Sequence, residues 1–323
     1  MPTRDRSRRD PEVLALLWAV RRSGVLDALL DSAGTPEEVA ADAGVTEEAA
    51  GVVVESLAEL GFVREVGAEY EITNRALGFL AKRDVRSIGR LPHAVDLFDL
   101  WTRLPETMAT GEEPTLPVDW TRNRLGAHAA TDEAAIRARV TAAVRERPDA
   151  SRVLDLLGAS GAYASEFAAR GFDATLVDDA ECVAAVEPML RHRGVDAVAA
   201  DVPDELGVDD AAFGLAFAAD ATGALDPAEN RALLSAAFDA LEPGGTLVVV
   251  DAFGDGSDGV AGRGASTVSA RVRALALGRG GVHAEGAYRE WLTDAGFTDV
   301  ARRTVPGDDR SAVVARRPER AVD

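Results

Sequence analysis

At 323 residues, 47% of them hydrophobic, the chain is longer than one hydrophobic core usually spans, so two domains are expected. A formal net charge of −20 sets the molecule against polyanions and excludes nucleic acid as a partner of the chain as a whole. The single cysteine, Cys182, excludes a disulfide framework, no Cys/His spacing suits a structural zinc, and neither an apolar signal core in "MPTRDRSRRD" nor a membrane-length apolar run is present, so a cytoplasmic protein is expected.

The amino-terminal hundred residues read as short helices and a hairpin. Val13, Leu16, Leu17 and Val20 share one helical face, and Val25, Leu26, Leu29 and Leu30 extend the apolar surface beyond Gly24. In "TPEEVAADAG" Thr35 is the expected N-cap, Pro36 the first helical residue and Glu38 the partner in a capping box. Thr46 caps the next helix, which turns Val53, Val54, Leu57 and Leu60 inward, and "FVREVGAEYEIT" makes two short strands around Gly67 and Ala68. This is a winged-helix order. The helix that would read DNA carries Glu47, Glu48, Glu55 and Glu59 without Arg or Lys, which opposes phosphate, so packing or dimerisation is the expected role. A helical stretch through "AVDLFDLWTRLPETMATGEEP" leads to a boundary near residue 111, giving domains 1–110 and 111–323.

From residue 151 strands and helices alternate. "RVLDLL", "ATLVD", "VDAVAAD", "FGLAFAAD" and "TLVVVDAF" are continuous apolar strands separated by helices, the pattern of a parallel sheet covered on both faces. "FTDVARRTV" and "RSAVVARRP", joined by "PGDD", are expected to close it as an antiparallel hairpin. The predicted fold class is thus α/β, a winged-helix domain followed by a Rossmann-like domain with an antiparallel carboxyl-terminal hairpin.

In such sheets ligands lie beyond the carboxyl ends of the strands, and "DLLGASG" turns the chain there. Gly158 and Gly161 either let backbone approach a ligand or simply turn the chain. Asp155, Asp178 and Asp201 end three successive strands around one crevice; Asp178 is placed to accept from ribose hydroxyls and Asp201 to reach an adenine edge, although aspartates also cap helices at such positions. The nicotinamide fingerprint GxGxxG is absent, and a nicotinamide-binding sheet needs no antiparallel closing pair.

The amino-terminal half together with "LWTRLPETMATGEEP", "RVLDLLGASG", "LVDD", "DPAENRALLSAAFDALEPGGTLVVVD" and "WLTDAGFTDV" resembles the S-adenosylmethionine-dependent small-molecule O-methyltransferase family over nearly the whole chain. The resemblance implies a homodimer built by the first helices, S-adenosyl-L-methionine in the second domain and a small-molecule acceptor. It places Asp178 at the ribose, Asp201 beside the adenine, Gly158 and Gly161 in the cofactor loop, and Ala219 at a position of cofactor contact. The acidic, nearly lysine-free composition, with Lys82 alone, further resembles that of proteins from salt-loving archaea.

The pattern departs from the family at two places. Leu157 and Ala159 replace loop glycines, and the side chain of Leu157 either enters cofactor space or turns into the core. The family's histidine after the fourth strand falls at Gly223, and none of His93, His128, His192 and His283 is assigned as a base. Asp220 is the expected substitute, on the condition that burial raises its pKa, whereas Asp226 is read as a helix cap. Substrate contacts are expected from Phe98, Trp101 and "GASTVSARVRALAL", with Arg271 and Arg273 facing an anionic group or the acidic surface. Two functions follow: methyl transfer to a small hydroxylated molecule, or a degenerate member that binds cofactor or metabolite as a sensor or partner.

Overall fold

The computed structural model describes residues 11–31, 34–76, 85–254 and 263–319, with no side chain described for 263–267; "MPTRDRSRRD" and Lys82 lie outside the described residues. The chain divides into two compact units, one of residues 1–102 with 116–130, the other of 103–115 with 131–323. Where the sequence suggests one boundary near residue 111, the backbone groups the short segment 116–130 with the first unit.

The first unit contains α1 (Pro11–Arg22), α2 (Val25–Asp31), α3 (Pro36–Ala43), α4 (Glu47–Glu59), the antiparallel pair β1 (Val63–Val66) and β2 (Glu69–Ile72), then α5 (Val85–Ile88), α6 (Leu91–Thr102) and α8 (Trp120–Ala129). The capping box at Thr35 forms in full, and the Thr46 side chain accepts from Ala49 N–H, so both helix starts are set by local sequence. Leu17, Val20, Val39, Val54 and Leu57 build the core, whereas Leu30 is 40% exposed and does not join the buried face expected of it. Asp96, fully buried, accepts from Arg21 Nη1 at 2.5 Å and from Asn123 Nδ2 at 2.8 Å, tying α1 and α8 to α6. Phe98 lies between Trp18 and Trp101, with ring centroids 5.9 and 6.5 Å away. Glu47, Glu48, Glu55 and Glu59 are exposed on α4.

In the second unit α7 (Leu104–Thr110) is separate from α6: Pro105, which has no N–H to donate, starts a new helix and ends the continuous one expected from sequence. After α9 (Glu133–Glu146) come β3 (Arg152–Leu156), α10 (Ala162–Ala169), β4 (Asp173–Asp178), α11 (Ala180–Arg191), β5 (Val195–Ala199), β6 (Phe213–Ala219), α12 (Pro227–Ala240), β7 (Leu241–Asp251), α13 (Arg263–Leu277), α14 (Glu285–Asp294), β8 (Thr298–Thr304) and β9 (Ser311–Arg316). The sheet order is β5-β4-β3-β6-β7-β9-β8, with the first five strands parallel and β9 antiparallel to both its neighbours. The closing hairpin expected from "FTDVARRTV" and "RSAVVARRP" is present. Strand alternation sends Leu154, Leu156, Ala216, Ala218, Leu247 and Val249 toward α12 and α14, while Phe217 meets Tyr163 and Phe167 of α10 on the other face at 5.3 Å each. Asp155, one position from Leu154 and Leu156, therefore faces α10. Sequence order reverses between β3 and β6, which marks the carboxyl end of this pair as the crevice.

Candidate active site

Three non-glycine residues with left-handed backbone stand at that crevice: Leu157 (φ 51°) and Ala159 (φ 49°) after β3, and Asp220 (φ 52°) after β6. Left-handed backbone costs a residue with a Cβ about 1–2 kcal/mol, least for Asp, so the surrounding contacts must hold it. The Leu157 side chain packs against the core that includes α12 and α14, which is the second of the two placements open to it. The loop thus keeps a glycine-like path without two of its glycines.

Gly158 has a packing reason to be glycine. A Cβ there would lie 2.6 Å from Asp155 Oδ2 and 2.7 Å from Leu176 Cδ1. At Gly161 (φ 68°), the N-cap of α10, a Cβ would stand 2.5 Å from Leu190 Cδ2. Beneath this loop Asp155 is 1% exposed; its Oδ2 accepts from Ala164 N–H at 3.0 Å, and Oδ1 has no hydrogen-bond partner among the described residues. Burial pushes its pKa up to about 8, the Ala164 N–H acts against the rise and the Asp178 charge adds to it. Asp178 is 2% exposed and binds the loop itself, accepting from Ala159 N–H at 2.8 Å and from Asp179 N–H at 2.9 Å. Asp179 is the side-chain cap of α11, accepting from Cys182 N–H. Asp201 is exposed beyond β5. Ala219 is 6% exposed and pairs in register with Val250.

Asp220 sits at the expected place in an environment opposite to the one a base requires. Its Oδ2 accepts from Arg139 Nη1 and its Oδ1 from Arg310 Nε at 2.6 Å. Burial alone would raise its pKa, but Arg139 and then Arg310 outweigh it and hold the carboxyl below the ordinary value. The expectation of Asp220 as base is corrected on this ground: both oxygens are committed to guanidinium groups, and a proton is harder to place there than on an ordinary aspartate. Arg139, whose side chain is 7% exposed, also donates from Nε to Asp308 Oδ2 at 2.6 Å, from Nη2 to Asp308 Oδ1 at 3.2 Å and from Nη1 to Tyr163 Oη at 2.7 Å. Burial works against its charge, yet the contacts with Asp308 and Asp220 keep its pKa above the usual arginine value.

Beside this network, Asp251 ends β7 with 9% exposure, accepting on Oδ2 from Thr222 Oγ1 at 2.6 Å and Gly223 N–H at 3.1 Å, and on Oδ1 from Ala252 N–H at 2.7 Å. Burial, followed by the Asp220 charge, raises its pKa. Tyr288 Oη donates to Thr222 Oγ1 at 2.6 Å. A Cβ at Gly223 would stand 3.8 Å from both Asp251 carboxylate oxygens. His283, passed over in the sequence reading, reaches the same turn: its Nε2 lies 3.0 Å from Leu225 O, and its own carbonyl accepts from Gly254 N–H. A carbonyl only accepts, so Nε2 is the donor in this contact. Asp226 caps α12 with a full capping box, as expected. Arg139, Asp251, Asp308 and Arg310 were missed because an arginine inside a helix and aspartates at turns look like solvated surface, and only the strand-end position of Asp251 carried a signal.

A family model described as a methyltransferase domain matches residues 128–302, more than half of the chain. The chain belongs to the methyltransferase-domain family. Its strand order, mostly parallel with the antiparallel closing pair, is that of class I methyltransferases. Among solved structures this methyltransferase is similar to human N-acetylserotonin methyltransferase in complex with S-adenosylmethionine (19% identity over 98% of this chain and 99% of that one, TM-score 0.59). It is also similar to an O-methyltransferase family protein from Burkholderia thailandensis (20% identity, 97% and 96% covered, TM-score 0.64). A third is NcsB1, an O-methyltransferase from neocarzinostatin biosynthesis, in complex with S-adenosylmethionine and 2-hydroxy-5-methyl naphthoic acid (18% identity, 96% and 97% covered, TM-score 0.61). At these identities the likeness is one of fold. No curated protein matches the chain. No helix among the described residues is long and apolar enough to cross a membrane.

Proposed function

We propose that this methyltransferase uses S-adenosylmethionine and transfers its methyl group to an oxygen of a small hydroxylated molecule. The observation that carries the reading is the β3–α10 loop, whose left-handed Leu157 and Ala159 preserve the path of a glycine-rich turn above two buried carboxyls. The residues present fit the cofactor. Asp155 Oδ1, buried and unpartnered among the described residues, suits the ammonium of an amino-acid moiety, and Asp178, an acceptor-only carboxylate at the end of β4 that already holds the loop, suits ribose hydroxyls. Asp201, exposed after β5, is left for the adenine edge, Gly158 and Gly161 let the loop pack closely over Asp155 and Leu190, and Ala219 is the small residue that ends β6.

When bound, S-adenosylmethionine supplies an electrophilic methyl group on a sulfonium. The chain positions and deprotonates. The charge-balanced group of Arg139, Asp220, Asp308 and Arg310 fixes the wall after β6, so Asp220 orients the guanidinium groups. The imidazole that reaches the turn after β6 is His283, and its Nδ1 is the acceptor we assign for the hydroxyl proton. The first unit, in a winged-helix arrangement, serves as the dimerisation domain of a cytoplasmic homodimer, and the −20 charge suits work in concentrated salt. A second reading, a noncatalytic binder, is favoured by Gly223 and by the paired carboxylate of Asp220.

Calorimetric titration with S-adenosylmethionine and S-adenosylhomocysteine at high salt tests the cofactor; binding is expected, and is expected to be lost in Asp178→Ala. No heat at millimolar ligand would overturn the assignment. Incubation of a cell-metabolite mixture with methyl-labelled cofactor then separates the two readings: label in a small molecule supports the enzyme, and binding without label supports the noncatalytic one.

A further inference from the structure

Asp155 sits in the second unit with 1% exposure, one oxygen bonded and the other bare. Bare buried carboxyl oxygens are rare because an unmade hydrogen bond there costs about 1–3 kcal/mol. The surroundings explain why none of the described residues satisfies it. On β4 the nearest charged group is Asp178, a second carboxyl 2% exposed that repels a charge on Asp155. On α10 the Ala164 N–H occupies Oδ2, and Tyr163, whose pKa burial pushes up, turns its hydroxyl to Arg139. On β6 the partner in register is Phe217, which brings no charge. Above it Gly158 covers Oδ2 so closely that a Cβ would lie 2.6 Å away. No hydrogen bond or ion pair joins this carboxyl to a cation among the described residues.

We propose that Asp155 is protonated in the ligand-free protein and gives up its proton to solvent when the cofactor binds, so that loading is coupled to the release of one proton. The inference rests on the cofactor reading above. The proton sits on Oδ1, since Oδ2 accepts from Ala164 N–H. A ligand that carries an ammonium, and in the methylated form a sulfonium as well, brings positive charge to a loop lined by two carboxyls and favours the ionised form of both. Atoms balance simply: the O–H bond of Asp155 breaks, the proton passes to buffer, and the carboxylate left behind pairs with the ligand ammonium. The direction of the pKa, raised by burial and by Asp178, agrees with a proton being held at neutral pH.

Titration of the full chain with S-adenosylhomocysteine and with S-adenosylmethionine at pH 7, in phosphate and in Tris, reads the proton directly. The two buffers differ in ionisation enthalpy, so the measured heats are expected to differ by the equivalent of nearly one proton. Affinity is expected to rise about tenfold from pH 6 to pH 7. In Asp155→Asn, which loses the pairing carboxylate, binding is expected to weaken and its heat to become buffer-independent, and Asp178→Asn, which removes the repelling charge, is expected to bind more weakly and to release less than the wild-type fraction. Buffer-independent heat in the wild type, or undiminished release in Asp155→Asn, overturns the proposal while leaving the cofactor reading intact. Absence of binding to the wild type removes the cofactor reading itself. Should Asp155→Asn fail to fold by circular dichroism, the wild-type pH series decides alone: a flat affinity from pH 6 to 8 overturns the coupling.

Discussion

A glycine at position 158 and an alanine at 159 obey different constraints although they are neighbours. Gly158 is fixed by space, since a methyl group there would collide with Asp155 Oδ2 and Leu176 Cδ1. Gly158→Ala is therefore expected to lower stability by about 1–3 kcal/mol, read as a shifted urea midpoint. Ala159 is constrained by its left-handed backbone angle and by its N–H bond to Asp178, which is why sequence inspection notices the missing glycine but not that the turn survives. Asp155 gives a pH signature with an unusual sign. Its carboxyl binds a proton more tightly folded than unfolded, so between the unfolded value near ~4 and the folded value of about 8 the native state holds more protons than the unfolded one. Stability from this group is therefore full below pH 4 and is lost as pH rises, by up to about 1.4 kcal/mol per pH unit. Urea titrations from pH 5 to 8 are expected to show this fall in the wild type and a flatter profile in Asp155→Asn. A profile of equal slope in both would count against a proton held there.

Elements whose signals are local were legible. The Thr35 and Asp226 capping boxes, the β1–β2 pair and the closing β8–β9 pair all rest on residues a few positions apart, where cap, turn and alternation rules act. The bridge that organises the crevice is not local. Arg139 on α9 and Asp308 in the β8–β9 turn are 169 positions apart, and nothing in "AIRARVTAAVRE" distinguishes this arginine from its exposed companions. The pair is buried, at 7% and 3% side-chain exposure, and doubly bonded. Asp308→Asn would leave Arg139 short of a counter-charge in a dry place, with an expected loss of about 3 kcal/mol by chemical denaturation. The acid side follows from the same contacts. Asp308 and Asp220 have lowered pKa values, so their contribution is present above the ordinary aspartate value near ~4 and is lost as pH falls through the lowered ones.

For the molecule as a whole, the α/β class and the carboxyl-edge crevice were readable because apolar strands alternate with helices, while the division into units was less so: segment 116–130 joins the first unit by contacts that no composition shift announces. The charge of −20 acts at this scale too. Screening falls from about 10 Å at 0.1 M salt to about 3 Å at 1 M. The midpoint of thermal unfolding is expected to rise between these concentrations and to do so similarly with potassium and sodium chloride; a midpoint indifferent to salt would remove the proposal that the charge suits concentrated salt.

One consequence belongs to the order of the sheet. Strand β9 lies between β7 and β8, both of which precede it in sequence, and β8 has no other partner in the sheet. A chain still emerging from the ribosome therefore holds two unzipped borders, the free side of β7 and the whole of β8, until residues 311–316 arrive to stitch them together. Arg310, the residue just before that stitch, carries the guanidinium that clasps Asp220, so the crevice is finished in the same stroke that seals the sheet.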